Sequence, residues 1–235
     1  MACVKYRHEY KYICGALQSA MLKTRMRGLL KPDSHVGENG VYRIRSLYFD
    51  DFKDSCFYDN ESGIGERVKY RIRIYNGSSN HIMLEKKAKY RGMTMKTAVQ
   101  IDEDCCKQLM HGKIISIREY MPDTLKLFLY EMKIKNMRPK VIVEYIRTPF
   151  VNKLGNIRIT FDEAINSSDN TNNFLEQNIP VRPIMEKGQG ILEVKWDEFL
   201  PNYIKDTLQL DSLKWNSFSK YYLCRKYNTH GGSRI

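Results

Sequence analysis

The chain has 235 residues, with 39 Lys and Arg against 27 Asp and Glu, a formal charge of +12. Apolar residues make up 42%, enough to bury a core, so intrinsic disorder is excluded. No stretch approaches the roughly 20 apolar residues of a membrane-spanning helix. The opening MACVKYRHEYKY is too polar and aromatic for a signal peptide, and a cytoplasmic protein is expected. The cysteines (Cys3, Cys14, Cys56, Cys105, Cys106 and Cys224) show neither CxxC nor paired Cys/His spacing. They read as reduced packing residues, not a zinc or redox centre. The excess of positive charge calls for a polyanionic partner: nucleic acid, an anionic membrane or phosphates.

In chain order, period-two alternation predicts a strand at Tyr6–Ile13 and 3.6-residue spacing a helix at Ala16–Leu30. Turn chemistry at His35–Gly40 precedes a strand at Val41–Phe49. GIGERV at Gly63–Val68 opens a strand, not a helix, so it reads as a turn and not a phosphate-binding glycine loop. Strands follow at Arg67–Tyr75, His81–Lys89 and Thr94–Ile101, the first two joined antiparallel by hairpin-length turn chemistry at Asn76–Asn80. A helix at Asp102–His111 has Asp102 as its cap, and one at Thr124–Asn136 has Pro139 just beyond it. Strands at Lys140–Pro149 and Asn156–Phe161 lead to turn chemistry at Asn166–Asn173, in which the stretch SSDNTNN is expected as a mobile surface loop. A strand at Gly190–Trp196 and helices at Asn202–Leu210 and Ser217–Lys226 complete the pattern, with 227–235 as a flexible tail. Strands do not alternate regularly with helices, which disfavours a doubly wound parallel sheet. The expected class is a single α+β domain dominated by antiparallel strands.

Residues two apart on a strand share a face. On that basis Arg7, Glu9 and Lys11 fall together, as do Arg43 and Arg45, then Lys69, Arg71 and Arg73, then Glu85 and Lys87. Tyr145 pairs with Arg147 and Glu193 with Lys195, while Arg158 stands between Ile157 and Ile159. A solvated face mixes both signs, because adjacent like charges destabilise a sheet. Bases dominate this one, and arginine's planar fork suits phosphate. A closed barrel turns one face of every strand into its lumen. A lumen this cationic calls for anionic ligands, and a phosphate-lined tunnel accounts for both sign and period. Glu193, Glu9 and Glu85 are candidate ligands of Mg²⁺ or Mn²⁺, which bind through one or two carboxylates plus substrate phosphates. Glu9 and Glu85 are equally open to a purely structural ion-pair role. The five histidines have no i, i+4 pairing and read as packing or surface groups.

The motifs RHEYKY, YRIRSLYFD, KYRIRIY, MLEKKAKYRG, VEYIRTPF, IRITFD, ILEVKW and NSFSKYYLC occur in the order expected of the VTC (vacuolar transporter chaperone) polyphosphate polymerase domain. From about Tyr6 to Tyr222 the chain resembles that family, part of the wider CYTH or triphosphate tunnel metalloenzyme group. The resemblance implies an eight-stranded antiparallel tunnel flanked by helices. It also implies transfer of the ATP γ-phosphoryl group to a growing polyphosphate chain, with Mn²⁺ or Mg²⁺ required. By motif, Lys11 would touch substrate phosphates and Arg71 with Arg73 would form a nucleotide-phosphate clamp. Lys87, Lys96, Arg147 and Arg158 would line the tunnel, Glu193 would hold metal beside Lys195, and Ser219 and Lys220 would contact phosphate from the closing helix. Beside these, the alternation itself adds Arg45, Lys69 and Tyr145 as substrate contacts.

The wider group opens with ExExK, whereas this chain has RHEYK, with Arg7 in place of the first glutamate. That exchange favours holding a long polyanion over activating a hydrolytic water, and so a polymerase. The alternatives are a tunnel triphosphatase with water as acceptor and a non-catalytic polyphosphate-binding module. Helix-turn-helix, zinc-finger and RNP-type motifs are missing, so no specific nucleic acid is expected. The eukaryotic VTC complexes also carry membrane regions, so association with a membrane partner stays compatible.

Overall fold

The alternation seen in the sequence is resolved by curling one sheet until its charged face points inward. In the computed structural model, which describes residues 7–34, 36–209, 213, 215 and 217–229, the elements run β1 (His8–Cys14), α1 (Ala16–Leu29), β2 (Lys31–Pro32), β3 (Tyr42–Asp50), α2 (Ser55–Glu61), β4 (Arg67–Tyr75), β5 (Ser78–Tyr90) and β6 (Met93–Ile101). They continue with α3 (Glu103–Met110), α4 (Asp123–Lys135), β7 (Arg138–Asn152), β8 (Ile157–Ser168), β9 (Arg182–Pro183), β10 (Gly190–Trp196), α5 (Asn202–Leu208) and α6 (Lys220–Thr229). Eight long strands pair antiparallel in the order β1-β10-β8-β7-β3-β4-β5-β6, with β2 on β7 and β9 on β8. The two outer strands meet where Arg7 and Thr94 exchange backbone hydrogen bonds of 3.1 and 3.2 Å. That bridge closes the curl at one end, giving the eight-stranded antiparallel tunnel expected from the sequence.

Two hairpins fix the register of the cationic wall. Asn76 and Gly77 both have positive φ and form a two-residue turn between Tyr75 and Ser78. Arg91 and Gly92 do the same between Tyr90 and Met93. Loops of this kind match the right-handed twist of the strands they join. β5 therefore begins three residues earlier than the alternation indicates.

Helices cover the outside of the sheet in two places. Leu47, Phe49, Ile72 and Leu84 pack under Leu109 of α3 and Phe128, Leu129 and Met132 of α4. Ile159, Phe161, Leu192 and Val194 pack under Leu22 and Met26 of α1 and Ile204 and Leu208 of α5. A third cluster lies inside the curl, where Ile44, Tyr48, Val141, Val143 and Ile191 meet Phe57 of α2 and Tyr221 and Cys224 of α6. The concave face is thus apolar in one half, plugged by α6, and charged in the other.

Asp102 caps α3 by accepting from Cys105 N at 2.7 Å, and Asn136 ends α4 in the left-handed region, φ 49. α2, seven residues long, is an element that the periodicity does not announce. It forms because Asp50, at the end of β3, accepts from Cys56 N at 3.0 Å and Phe57 N at 3.1 Å. The expectation of a mobile loop at SSDNTNN, Ser167–Asn173, is corrected. Ser167 and Ser168 are buried members of β8, and Thr171–Asn173 is a 3₁₀ turn leading to the fully buried Phe174. All five described cysteines are unpaired, four of them buried, as packing residues should be; Cys3 and residues 230–235 of the expected tail lie outside the described residues.

Candidate functional site

A cavity of about 150 Å³ occupies the charged half of the curl. Among the described residues ten cationic side chains line it: Lys11 from β1, Arg67, Lys69, Arg71 and Arg73 from β4, Lys87 and Lys89 from β5, Arg147 from β7, Lys195 from β10 and Lys220 from α6. Of the described residues, only two carboxylates, Glu9 and Glu193, share its wall. Tyr48, Tyr145, Thr94, Trp215, Ser219 and Tyr221 are among the neutral lining groups.

Strand register explains how the charges fall. On β1 and β10 opposite signs alternate across the ladder, Glu9 facing Lys195 and Lys11 facing Glu193. On β4, β5 and β6 Arg71 faces Glu85, but Lys69 faces Lys87, which faces Lys96, and Arg67 faces Lys89. Like charges directly opposite one another are destabilising. One wall of the cavity is therefore built against its own electrostatics.

The cations divide by the partners they have. Arg71 meets Glu85 through Nε at 2.7 Å and Nη2 at 2.6 Å, and Arg73 stands 3.8 Å from the same carboxylate. Arg147 makes a bidentate pair with Asp162 at 2.7 and 2.8 Å, and Lys220 reaches that carboxylate at 2.6 Å. Glu9 accepts from Lys87 at 2.7 and 2.8 Å and lies 3.0 Å from Lys11. Lys195 lies 2.5 Å from Glu193 and 3.8 Å from Glu9. By contrast Arg67, Lys69 and Lys89 have no carboxylate within ion-pair distance among the described residues. Lys69 donates instead to the Ser219 hydroxyl at 2.8 Å, and Arg67 to the Ile64 carbonyl at 2.9 Å.

Protonation follows from these surroundings. Burial opposes the charge of Glu9 and Glu193, but Lys87 and Lys11 for the first, and Lys195 and Lys11 for the second, hold both well below the usual carboxylate range. Glu85 and Asp162 are held down in the same way by Arg71 and Arg147 respectively. Burial pulls Lys69 down to about 8 and Lys87 to about 7. For Lys69 the neighbouring Arg67 and Lys11 add to that pull; for Lys87, Lys11 and Lys195 do so against Glu9. Burial depresses Arg67 and Lys89 as well.

The cavity brings together Glu9, Lys11, Lys69, Arg71, Arg73, Lys87, Tyr145, Arg147, Glu193, Lys195, Ser219 and Lys220, and leaves out four other expected site residues. Arg45 is corrected outright. It shares the outer face of β3 with Leu47 and Phe49, pairs with Glu144 at 2.6 Å, and donates to the carbonyls of Phe174 and Glu176. Arg158 sits further along β8, held by Asp33 at 2.7 Å and Tyr42 at 2.8 Å, outside the cavity lining. Lys96 is half-exposed and bonded to Glu85 at 3.1 Å, also outside the lining. Glu85 itself lies outside the lining, a buried anchor for three bases. Arg7 pairs with Asp197 at 2.8 Å and donates to the Asn156 carbonyl, so it adds no charge to the cavity.

Sequence analysis missed Arg67 and Lys89, although each lies two residues from a recognised lysine on the same strand. Asp162 was equally within reach, as the last residue of IRITFD in phase with Arg158. Trp215 had no such signal. A backbone bridge to Tyr12 holds it along the open edge of β1.

Metal fit is decided by the donors. Among the described residues no group of three or more His, Cys, Asp or Glu could hold a metal alone. Glu9 and Glu193 are nonetheless both adjacent to Lys195. A hard cation would find two carboxylates there and would need phosphate oxygens and water to complete its shell.

The sequence profile described as VTC domain matches residues 6–228. The chain belongs to the VTC domain family. Two solved structures share its fold. HpAC1 of Hippeastrum, a protein named for adenylyl cyclase and described as having a dominant triphosphatase activity, is 12% identical over 94% of this chain and 95% of its own, with a TM-score of 0.58. A Bacillus halodurans protein assigned as an adenylate cyclase is 13% identical over 97% and 98%, with a TM-score of 0.53. Both show that this VTC domain has the triphosphate tunnel fold. Among curated proteins no match was found. No helix of the described residues is long and apolar enough to cross a membrane.

Proposed function

We propose that this VTC domain is a polyphosphate polymerase that transfers the γ-phosphoryl group of ATP to the end of a growing polyphosphate chain. The observation that carries this reading is the unbalanced wall, with Lys69 facing Lys87 and Arg67 facing Lys89 across adjacent strands. Bound phosphates would relieve that repulsion.

A terminal oxygen of the polyphosphate chain attacks the γ-phosphorus, the bond from that phosphorus to the β-bridging oxygen breaks, and ADP leaves. The acceptor is already anionic, so no general base is required. Phosphoryl transfer asks the protein for positioning and charge neutralisation. Arg71, Arg73 and Lys11 hold the donor triphosphate, with Tyr145 fixing Arg73 through a 3.3 Å hydrogen bond. Arg147 and Lys220, both anchored on Asp162, stand over the Tyr145 ring at 5.3 and 4.9 Å and face the transferring group. Lys69, Lys87, Arg67, Lys89 and Ser219 take the polyphosphate chain. Glu193 and Glu9 would hold Mg²⁺ or Mn²⁺, which when bound neutralises phosphate oxygens.

A tunnel triphosphatase is the second reading, favoured by the described activity of HpAC1 on the same fold. Incubating the full chain with ATP and Mn²⁺ separates the two. Long acid-labile polymer together with ADP is expected; free phosphate without polymer assigns the protein to hydrolysis.

A further inference from the structure

The cations account for phosphates, but a nucleotide also carries a base, and one lining residue has no part in the phosphate chemistry. Four of the aromatic side chains of the cavity, Tyr48, Tyr145, Phe218 and Tyr221, are buried, each 7% exposed or less. Trp215 is 60% exposed. It lies where the strand edges part beyond the Arg7–Thr94 bridge, paired through its backbone with Tyr12. Trp215, Ser217, Phe218 and Ser219 line the cavity, with the Phe218 carbonyl accepting from Lys11 at 2.9 Å. A large indole face is thus exposed at the rim of a phosphate-binding cavity.

We infer that Trp215 is the platform on which the nucleobase of the donor stacks while its triphosphate enters among Lys11, Arg71 and Arg73. The inference rests on the ATP-using reading above and adds to it a specificity determinant, the group that separates a nucleoside triphosphate from inorganic tripolyphosphate. Stacking of a base on an aromatic side chain is worth roughly five- to hundredfold in affinity. It is tolerant of base identity, because every base has a π-face. A preference for nucleotides over inorganic triphosphate, with little discrimination among bases, follows.

The chain contains two tryptophans, and the other one, Trp196, is largely buried against His8 at 5.2 Å and Tyr10 at 4.9 Å on the outside of the barrel. A ligand-dependent change in tryptophan fluorescence therefore reports on Trp215, over a constant contribution from Trp196. The test titrates the full chain and its Trp215→Ala and Trp215→Phe variants with a non-hydrolysable ATP analogue and with inorganic tripolyphosphate, reading fluorescence and calorimetric affinity. The analogue is expected to quench the native protein and neither variant. Trp215→Ala should bind the analogue roughly five- to hundredfold more weakly, Trp215→Phe should recover part of that loss, and both should bind tripolyphosphate as the native chain does. Retained tripolyphosphate binding shows that the variants are folded. Undiminished analogue affinity in Trp215→Ala overturns the stacking alone. Equal loss for both ligands overturns it too, by making Trp215 a structural residue. Failure of the native chain to bind tripolyphosphate removes the functional reading, and the stacking with it.

Discussion

Lys69 donates to the Ser219 hydroxyl at 2.8 Å, and it stands directly opposite Lys87 in the ladder between β4 and β5. Burial holds Lys69 at about 8 and Lys87 at about 7, below the ordinary 10.5. A bound phosphate restores both toward that ordinary value, so polyphosphate binding takes up protons as pH rises through about 7 and about 8. Affinity should fall across that window and beyond it. In the unliganded protein the sign is opposite: above about 7 the unfolded chain binds more protons at these two lysines, so their contribution to stability rises with pH toward 10.5. Calorimetry of tripolyphosphate binding in two buffers of different ionisation enthalpy measures the proton uptake. Pure proton release, or an affinity flat with pH, would show that these lysines stay charged without ligand.

Asp162 is fully buried and holds both Arg147 and Lys220. Asp162→Asn removes the shared counter-charge and leaves two buried cations without it. Breaking a buried pair in this way costs about 3–5 kcal/mol, a large part of the roughly 5–15 kcal/mol that holds a domain together. Urea denaturation should show the loss, and saturating tripolyphosphate should return part of it by supplying the missing negative charge. A midpoint equal to that of the native chain contradicts the anchoring role.

Glu193 and Glu85 are both buried carboxylates among bases, yet only Glu193 lines the cavity. Glu193→Gln should shift the Mn²⁺ dependence of activity to higher concentration. Glu85→Gln should instead loosen Arg71 and Arg73 and raise KM for ATP while leaving the Mn²⁺ midpoint in place. Parallel Mn²⁺ titrations of the two variants decide the assignment, and identical midpoints in both would take Glu193 out of the metal role.

Most of the site was legible because a strand places alternate residues on one face, and that rule needs no knowledge of partners. It located Lys69, Arg71 and Arg73 on β4, Lys87 on β5 and Glu193 with Lys195 on β10. It could not say which face turns inward. On β3 the charged pair Arg43 and Arg45 lies on the convex side, because Ile44 and Tyr48 are needed inside against Tyr221. Arg7 and Arg158 obey the alternation, but local acids, Asp197 and Asp33, claim them before they reach the cavity. Trp215 is placed by a backbone bridge to Tyr12, which no periodicity announces.

Arg45 supplies a control. It is 1% exposed and bonded to Glu144 and to three backbone carbonyls on the outer face. Arg45→Ala should lower the melting temperature strongly while the folded fraction keeps its KM for ATP. A raised KM with unchanged melting would place this residue back among the substrate contacts.

The central claim is that polyphosphate binds inside the curl and not on the basic exterior. Equilibrium binding of long-chain polyphosphate to Arg71→Ala, compared with a variant lacking the exposed Arg27 and Lys133 of α1 and α4, tests it most directly. Loss of a buried charge contact costs about 2 kcal/mol or more, so Arg71→Ala should bind at least about thirtyfold more weakly, and the exterior variant as tightly as the native chain. Unchanged binding by Arg71→Ala, with the loss falling on the exterior variant, would contradict the account.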